Sequence, residues 1–250
     1  MSEPKEAAAP RPGILRRAAA GAWHVPAGFA FLLRRPRLFA LAALPIALVS
    51  ALLVTGFIGG LFAVPIVDDL VVRQGQREDW LARLLTAALF LSLPFAGMLA
   101  GFALALVLTA PILEKLSERV EAIVRGVPQP PDGRGLAAEI RDALRGALYF
   151  ASRAPGVFLV SLVPIIGPPL GAIWGAHALA FQLTEAPLAR QGLDFIQRRL
   201  WHARFRAESL GFGLLGFATL FVPLANLLVA PALVVGATRL VLELRQSEGG

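Results

Sequence analysis

Four stretches of this chain contain no Asp, Glu, Lys or Arg, and each is about 30 residues long: 38–67, 84–113, 154–184 and 209–238. A helix of that length is long enough to cross the roughly 30 Å of hydrocarbon in a lipid bilayer. The composition agrees, since 56% of the residues are hydrophobic and only 16% are charged, against about 25% charged residues in an ordinary soluble domain. The sequence therefore predicts an all-α integral membrane protein.

Several kinds of chemistry are excluded by residues that the chain lacks. There is no cysteine, so the sequence offers no disulfide, no thiolate nucleophile and no cysteine-based metal site. His24, His177 and His202 are too scattered to form a metal-binding motif, and no nucleophile motif or glycine-rich phosphate loop is present. We therefore expect neither an enzyme nor a cofactor.

The net charge of +7 comes from basic residues that flank the apolar stretches. Flanking basic residues are the ordinary positive-inside signal of membrane proteins. No basic stripe with interleaved aromatic residues accompanies them, so we expect no nucleic-acid partner.

The same basic residues indicate how the chain is threaded through the membrane. If every apolar stretch crossed once, 16 basic residues would lie on one side and 8 on the other. If only the first two stretches cross, and the last two enter and leave by the same face, the division becomes 21 to 3. The second arrangement follows the positive-inside rule better. It places both termini in the cytoplasm, with residues 68–83 as the only sizeable segment outside.

Prolines divide the last two apolar stretches into short arms. Residues 154–184 break at Pro164–Pro169, and residues 209–238 break at Pro223–Asn226. Arms of 10 to 15 residues reach only about 15–23 Å, less than the hydrocarbon thickness. We therefore expect two proline-broken helical hairpins that penetrate the membrane partway. Because broken backbone must be shielded from lipid, we expect both turns to be buried in a bundle or to line a cavity.

Polar and turn residues of these hairpins are candidates for lining a path through the membrane. A polar side chain at membrane depth is often functional, although it also commonly joins helices or satisfies backbone groups. The candidate pathway or hairpin-turn residues are Pro164, Gly167, Pro168, His177, Pro223 and Asn226.

Segments between the apolar stretches have the periodicity of amphipathic helices. In residues 111–125, the apolar side chains, Ile123 among them, are expected to share one face, with Glu121 and Arg125 paired on the opposite face. Residues 136–150 repeat this pattern. The sequence thus predicts amphipathic connecting helices.

A third amphipathic segment, residues 189–206, is strongly basic. Its apolar residues, Ile196 and Leu200 among them, are expected to lie opposite Arg198 and the other arginines. This pattern is typical of a helix on an anionic membrane surface. The alternative is that all three amphipathic segments are simple connectors between helices.

The ends of the chain complete the predicted domain organisation. Residues 1–13 are polar and rich in Pro and Ala, and they predict a disordered cytoplasmic tail. Residues 14–245 are expected to form a single helical membrane domain with two long spans and two hairpins.

Five motifs occur in order along the chain: APILEKLSERVEAIVRG (110–126), LVPIIGP (162–168), FQLTEAPLARQGLDF (181–195), LGFG (210–213) and VPLANLLVAPALVVGAT (222–238). Together they resemble the CysZ sulfate-transporter family, which belongs with the etoposide-induced-protein domain, over about residues 28–240. The resemblance implies a helical protein of the bacterial inner membrane that assembles as a homo-oligomer and is linked to sulfate uptake.

The resemblance also implies an anion site at the start of the first span. The family's run is Pro-Gly-Leu/Ile-Arg-Arg ahead of a Leu-Pro. Counted back from the Leu-Pro here, Pro36 matches, Arg37 stands at the Gly position, and Phe39 and Ala40 replace the two arginines. The arginine pair is therefore not matched in register.

Three arginines nevertheless cluster directly before the first span. Arg34, Arg35 and Arg37 precede a helix whose free N–H groups favour an anion, and they are the candidate anion-binding residues. The alternative is that they are positive-inside anchors in contact with lipid phosphate.

The sequence thus favours a transport protein that moves a small inorganic anion such as sulfate. A channel-like or passive path is the simpler expectation, because no acidic residue lies inside an apolar stretch to relay protons. The alternative is a non-transporting membrane scaffold or a lipid-interacting protein, with anionic lipid as its partner.

Overall fold

The structure is a computed structural model that describes residues 13–71, 79–126, 135–221 and 225–249. These ranges contain eight helices and no strand, which confirms the prediction of an all-α chain. The helices are α1 (Ile14–Leu33), α2 (Pro36–Val71), α3 (Asp79–Arg125), α4 (Leu136–Ser161), α5 (Gly167–Arg190), α6 (Phe195–Arg204), α7 (Arg206–Thr219) and α8 (Ala225–Gly249). Most of the predicted N-terminal tail and Pro223 lie outside the described residues.

The chain forms two compact units. The first unit contains the residues up to 35 and those from 117 onward, and the second unit contains residues 36–116. Helix α3 belongs to both, because it begins in the second unit and its last turns belong to the first.

Helices α2 and α3 contain the two predicted spans. Within the described residues, two segments are long and apolar enough to cross a membrane, Pro36–Asp69 and Arg83–Arg125. In each segment, only 17% of the most apolar 18-residue stretch is buried. The core helix of a soluble protein would be mostly buried. The prediction of a separate helix over 111–125 is wrong, since α3 continues through Pro111. A proline removes one helical hydrogen bond, and here it does not end the helix.

The helix pair of the second unit is closely packed at two glycines. A Cβ atom built on Gly56 would lie 2.2 Å from the carbonyl oxygen of Gly97, and one built on Gly97 would lie 2.1 Å from that of Gly56. Helix backbones approach this closely only where side chains are absent. The contact therefore fixes where α2 and α3 cross.

The hydrophobic core of the first unit is formed by α1, α5, α7 and α8. Phe212 of α7 is fully buried at its centre among Val25, Ala180 and Leu233. Burying a side chain of this size stabilises a fold by roughly 1.5–3 kcal/mol. A smaller cluster of Leu188, Trp201, Phe205 and Val241 joins the ends of α5 and α8 to α6.

The predicted apolar faces of the amphipathic segments are partly wrong. Glu121 is buried, whereas Ile123, predicted on the packed face, is exposed. In α6, Arg198 is buried, while Ile196 and Leu200 are exposed. The reason is that each buried charge has a partner on a distant helix, which periodicity alone does not reveal.

Helix α4 also leaves an apolar face uncovered. Ile140, Leu144 and Leu148 share one face and are all exposed. The exposed apolar surface continues to the end of the helix, where Phe158 and Leu159 are exposed as well. A continuous apolar surface of this kind is typical of contact with a membrane or with another chain.

Candidate functional site

The three candidate anion-binding arginines fall on both sides of the break between α1 and α2. Arg34 is the exposed C-cap of α1. Arg35 is half-buried, and its guanidinium carbon lies 3.7 Å from the centre of the Phe31 ring. Arg37 is the second residue of α2, is exposed, and belongs to the other unit.

A fourth arginine, Arg239 of α8, lies against the same aromatic ring. Its guanidinium carbon is 5.1 Å from the centre of Phe31, and its Nη1 donates a hydrogen bond of 3.1 Å to the carbonyl oxygen of Ala27. In the part of the chain that the structure describes, neither Arg35 nor Arg239 forms an ion pair with a carboxylate. Two guanidinium groups beside one ring, without a neutralising acid, favour an anion.

Sequence reasoning missed Arg239, although a signal was present. The residue directly follows Thr238, where the last of the five motifs of the family resemblance ends. We name Arg34, Arg35, Phe31 and Arg239 the α1–α8 arginine cluster.

A buried polar network supports this part of α8. The Thr238 hydroxyl lies 2.8 Å from the Ser117 hydroxyl. Arg190 donates to the same Ser117 oxygen at 2.6 Å and to a Glu121 carboxylate oxygen at 3.0 Å. Ser117, Glu121 and Thr238 are buried. The network holds the ends of α3 and α5 against the turn of α8 that precedes Arg239.

The first predicted hairpin turn lies between α4 and α5. Helix α4 ends at Ser161 and α5 begins at Gly167, with Pro168 following directly, so the helix break surrounds Pro164 as expected. Gly167 is buried, and a Cβ atom there would lie 2.5 Å from the carbonyl oxygen of Ser161. Glycine therefore allows the two helix ends to meet.

We expected this turn to be buried in a bundle or to line a cavity, and in the single chain its tip is exposed, so burial by other copies in an oligomer stays a prediction. Pro164 is exposed, and Ile165, with a φ of 73°, is 89% exposed. The turn instead satisfies much of its own backbone, since the Val163 N–H donates to Val160 and the Gly167 N–H to Val163. Such local bonds reduce the need for shielding by other helices.

The second predicted turn is described only in part. Helix α7 ends at Thr219 and α8 begins at Ala225, which makes Asn226 the second residue of α8. Pro223 lies outside the described residues.

His177 lines a cavity of about 220 Å³ between α4, α5, α6 and α7. We name it the histidine cavity. Tyr149, Arg199 and Arg206 line it as well, and among the residues that the structure describes no Asp or Glu does. The guanidinium carbon of Arg199 lies 4.7 Å from the centre of the Tyr149 ring. The structure thus places His177 beside exposed cationic groups, which the sequence did not predict.

A second histidine, His202, is buried at the wall of this cavity. Its ring stacks on Phe181 with 4.9 Å between the ring centres. Burial lowers the pKa of His202 to about 3, and the nearby His177 ring adds to this effect. The His202 ring is therefore neutral at physiological pH.

The proton of His202 can be assigned from its partner. The Thr184 hydroxyl donates to the carbonyl oxygen of Ala180 at 2.8 Å and lies 2.9 Å from His202 Nε2. With this hydrogen directed at Ala180, the hydroxyl accepts a hydrogen bond from Nε2, and in that tautomer Nδ1 is an acceptor. Within the described residues, Nδ1 of His202 and the hydroxyl of buried Ser209 have no hydrogen-bond partner, and both residues line the cavity.

Residues 25–231 match the family model described as Sulfate transporter CysZ/Etoposide-induced protein 2.4. The chain belongs to this family. The resemblance inferred from the motifs is therefore confirmed.

Curated relatives agree with this family. The chain is 35% identical to the Sulfate transporter CysZ of Pseudomonas fluorescens over 144 residues, which cover 54% of this chain and 58% of that relative. It is 32% identical to the Sulfate transporter CysZ of Pseudomonas paraeruginosa over 221 residues, covering 83% and 88%. The match to the protein of the same name from Vibrio parahaemolyticus is 30% over 155 residues. The first alignment thus spans less than two thirds of its relative, whereas the second spans most of both chains.

The CysZ family match contains part of the site. Arg34, Arg35 and His177 lie within the matched range, whereas Arg239 lies eight residues beyond its end at residue 231. The α1–α8 arginine cluster therefore combines residues inside and outside the family match.

Proposed function

We propose that this chain is a multi-pass protein of the bacterial inner membrane that transports a small inorganic anion, sulfate foremost. The observation that carries the proposal is the alignment with a protein named Sulfate transporter CysZ over 83% of this chain. The apolar segments of α2 and α3 supply two membrane crossings, and both are largely exposed in the single chain. The protein acts without chemical catalysis, by a channel-like or passive path.

The two proline-broken hairpins enter the membrane from the cytoplasmic side. The turn between α4 and α5 exposes an uncharged apolar tip that includes Phe158, Leu162 and Ile165. A continuous exposed apolar surface of this kind is stabilised by contact with lipid or with another chain. The 21 to 3 division of basic residues favours an arrangement in which this tip does not emerge on the other side.

The anion binds near the arginines that precede α2. Arg34, Arg35 and Arg37 were the candidates in the sequence, and the position of Arg239 beside Phe31 supports Arg34 and Arg35, which belong to the same unit as Arg239. The path through the membrane passes the hairpin turns of an oligomer, and His177 and Asn226 are candidates to line it.

A second candidate function is a non-transporting membrane scaffold or a lipid-interacting protein. The observation that favours it is that Phe39 and Ala40 stand where the family motif has arginines. In this alternative the α1–α8 arginine cluster binds lipid phosphate.

Uptake of labelled sulfate into proteoliposomes tests the transport proposal. We expect Arg35→Ala and Arg239→Ala each to raise the half-saturating sulfate concentration about tenfold or more, because a hydrogen bond to a charged group contributes about 1.5–3 kcal/mol. Arg141→Ala is the matched control, since Arg141 is an exposed arginine of α4 outside the cluster. Absence of flux for sulfate, thiosulfate, molybdate and phosphate, with the protein folded, would reject transport and favour the scaffold.

Single cysteines test the threading of the chain, because the protein contains none of its own. We expect Gln76→Cys to react with a membrane-impermeant maleimide from the periplasm and Gln246→Cys to react only from the cytoplasm. Ile165→Cys is expected to react from neither side, since the tip of the α4–α5 turn lies within the membrane. Equal periplasmic labelling at positions 165 and 76 would show that the hairpin crosses completely.

A further inference from the structure

An apolar cavity of about 450 Å³ adjoins the histidine cavity. It is lined mainly by α4 and α5, chiefly by Val157, Val160, Leu170, Ile173 and Trp174, and among the described residues no charged side chain lines it. We name it the apolar cavity. An acyl chain bound there would contact mainly apolar side chains.

The two cavities share residues. His177 and Leu210 line both of them. On one side of these shared residues the lining is therefore cationic, with Arg199 and Arg206, and on the other side it is apolar. Neither a free inorganic ion nor a purely apolar ligand matches both ends.

The histidine cavity, which is the cationic end, also contains one hydrogen-bond donor and one hydrogen-bond acceptor that have no partner among the described residues. The Ser209 hydroxyl can donate to a phosphate oxygen, and Nδ1 of His202 can only accept a hydrogen bond while its Nε2 donates to Thr184. A buried polar atom without a partner costs free energy. A head group that carries both a phosphate and a hydrogen-bond donor removes both costs at once.

We propose that the two cavities together bind one glycerophospholipid. Its phosphate lies against Arg199 and Arg206, a hydroxyl or ammonium of its head group donates to His202 Nδ1, and an acyl chain occupies the apolar cavity. This site rests on the membrane location proposed above but not on transport. It specifies a lipid site distinct from the α1–α8 arginine cluster.

The position of the site on the chain agrees with a lipid ligand. The apolar cavity begins at Gly156, next to the exposed apolar tip that ends α4. Ile196 and Leu200 of α6 are exposed on the same helix as Arg199. Apolar and cationic side chains side by side are typical of the interface between head groups and acyl chains.

The test measures lipid bound to the purified full-length protein by native mass spectrometry and by titration. The probes are dioleoyl phosphatidylglycerol, the same head group with six-carbon chains, and inorganic phosphate. We expect one tightly held long-chain lipid per chain, with the short-chain lipid binding at least tenfold more weakly and inorganic phosphate weaker still.

Two variants, one in each cavity, test the cationic end and the apolar end of the proposed lipid site separately. Arg199→Ala with Arg206→Ala removes the cationic end, and Gly156→Leu fills the apolar end, where a Cβ atom on Gly156 meets no atom within 4 Å. Each is expected to weaken long-chain lipid binding at least tenfold. Arg141→Ala and Gly135→Leu are the matched controls, since Arg141 is exposed and Gly135 is equally open to a Cβ atom, and they should bind like the wild type.

Two outcomes would overturn the proposal. One is that folded wild-type protein retains no phospholipid. The other is that phosphate or sulfate binds as tightly as the lipid and Gly156→Leu has no effect, which would make the histidine cavity a site for a free anion. Sulfate uptake is measured in parallel, so that loss of the lipid in a variant that still transports separates this site from the transport proposal.

Discussion

Replacing Arg198 by Met is expected to lower the free energy of unfolding by about 3–5 kcal/mol, because it removes one partner of a buried ion pair. The Nη2 atom of Arg198 lies 3.1 Å from a carboxylate oxygen of Asp142, and both side chains are only 3% exposed. Its Nη1 atom also donates to Glu185 at 2.7 Å. The substitution leaves the Asp142 carboxylate buried without this guanidinium, so the desolvation of the charge is offset less.

The matched control is Arg145→Met. Arg145 faces the same Asp142 carboxylate at 3.9 Å but is 44% exposed, so its loss should cost at most about 1 kcal/mol. The double variant Arg198→Met with Asp142→Leu should recover most of the stability, because replacing both charges by apolar groups of similar size is often neutral. Denaturant titration or thermal unfolding in detergent measures all four proteins. Similar losses in the free energy of unfolding for Arg198→Met and Arg145→Met would contradict the conclusion that Arg198 is the main partner of the buried Asp142 carboxylate.

Replacing Gly56 by Ala is expected to destabilise the packing of α2 against α3 by at least about 2 kcal/mol. The added methyl group would lie 2.2 Å from the Gly97 carbonyl oxygen, so the two helix backbones must separate. Overpacking typically costs 1–3 kcal/mol, and here no side chain can rotate away to relieve it. The expected result is a clearly lower Tm.

Gly59 supplies the control from the same helix. A Cβ atom on Gly59 meets no atom within 4 Å, so Gly59→Ala should be neutral or stabilising by up to about 1 kcal/mol, since alanine favours the helix. The two substitutions are chemically identical and three residues apart. Opposite effects on Tm would support the crossing at Gly56, and equal effects would exclude it.

The positions of the membrane spans and of the first helix break could be predicted from local properties of the chain. The charge-free stretches 38–67 and 84–113 correspond to α2 and α3, and the break at Pro164 lies between α4 and α5. Apolar runs and prolines act on the backbone that contains them, so no distant contact is needed to locate them. The motif order was likewise sufficient to indicate the CysZ family.

The ends of the helices, and the faces that they bury, were less predictable from the sequence. Residues 111–125 were expected to form a separate amphipathic helix, but they are the last part of α3. Glu121 and Arg198 were placed on exposed faces, although both are buried. Periodicity counts apolar residues on a face, and it does not register a charge that becomes favourable inside because an opposite charge meets it there.

The sequence by itself determined that this chain is helical, that two of its helices can span a bilayer, where prolines interrupt the others, and to which family it belongs. Only the tertiary structure decided which polar groups meet. Arg239 lies beside Phe31, Arg198 beside Asp142 and His202 beside Thr184. The physical reason is that hydrophobic pattern and helix propensity act over a few residues, whereas charge pairing, close helix crossings and cavities depend on atoms brought together from distant parts of the chain.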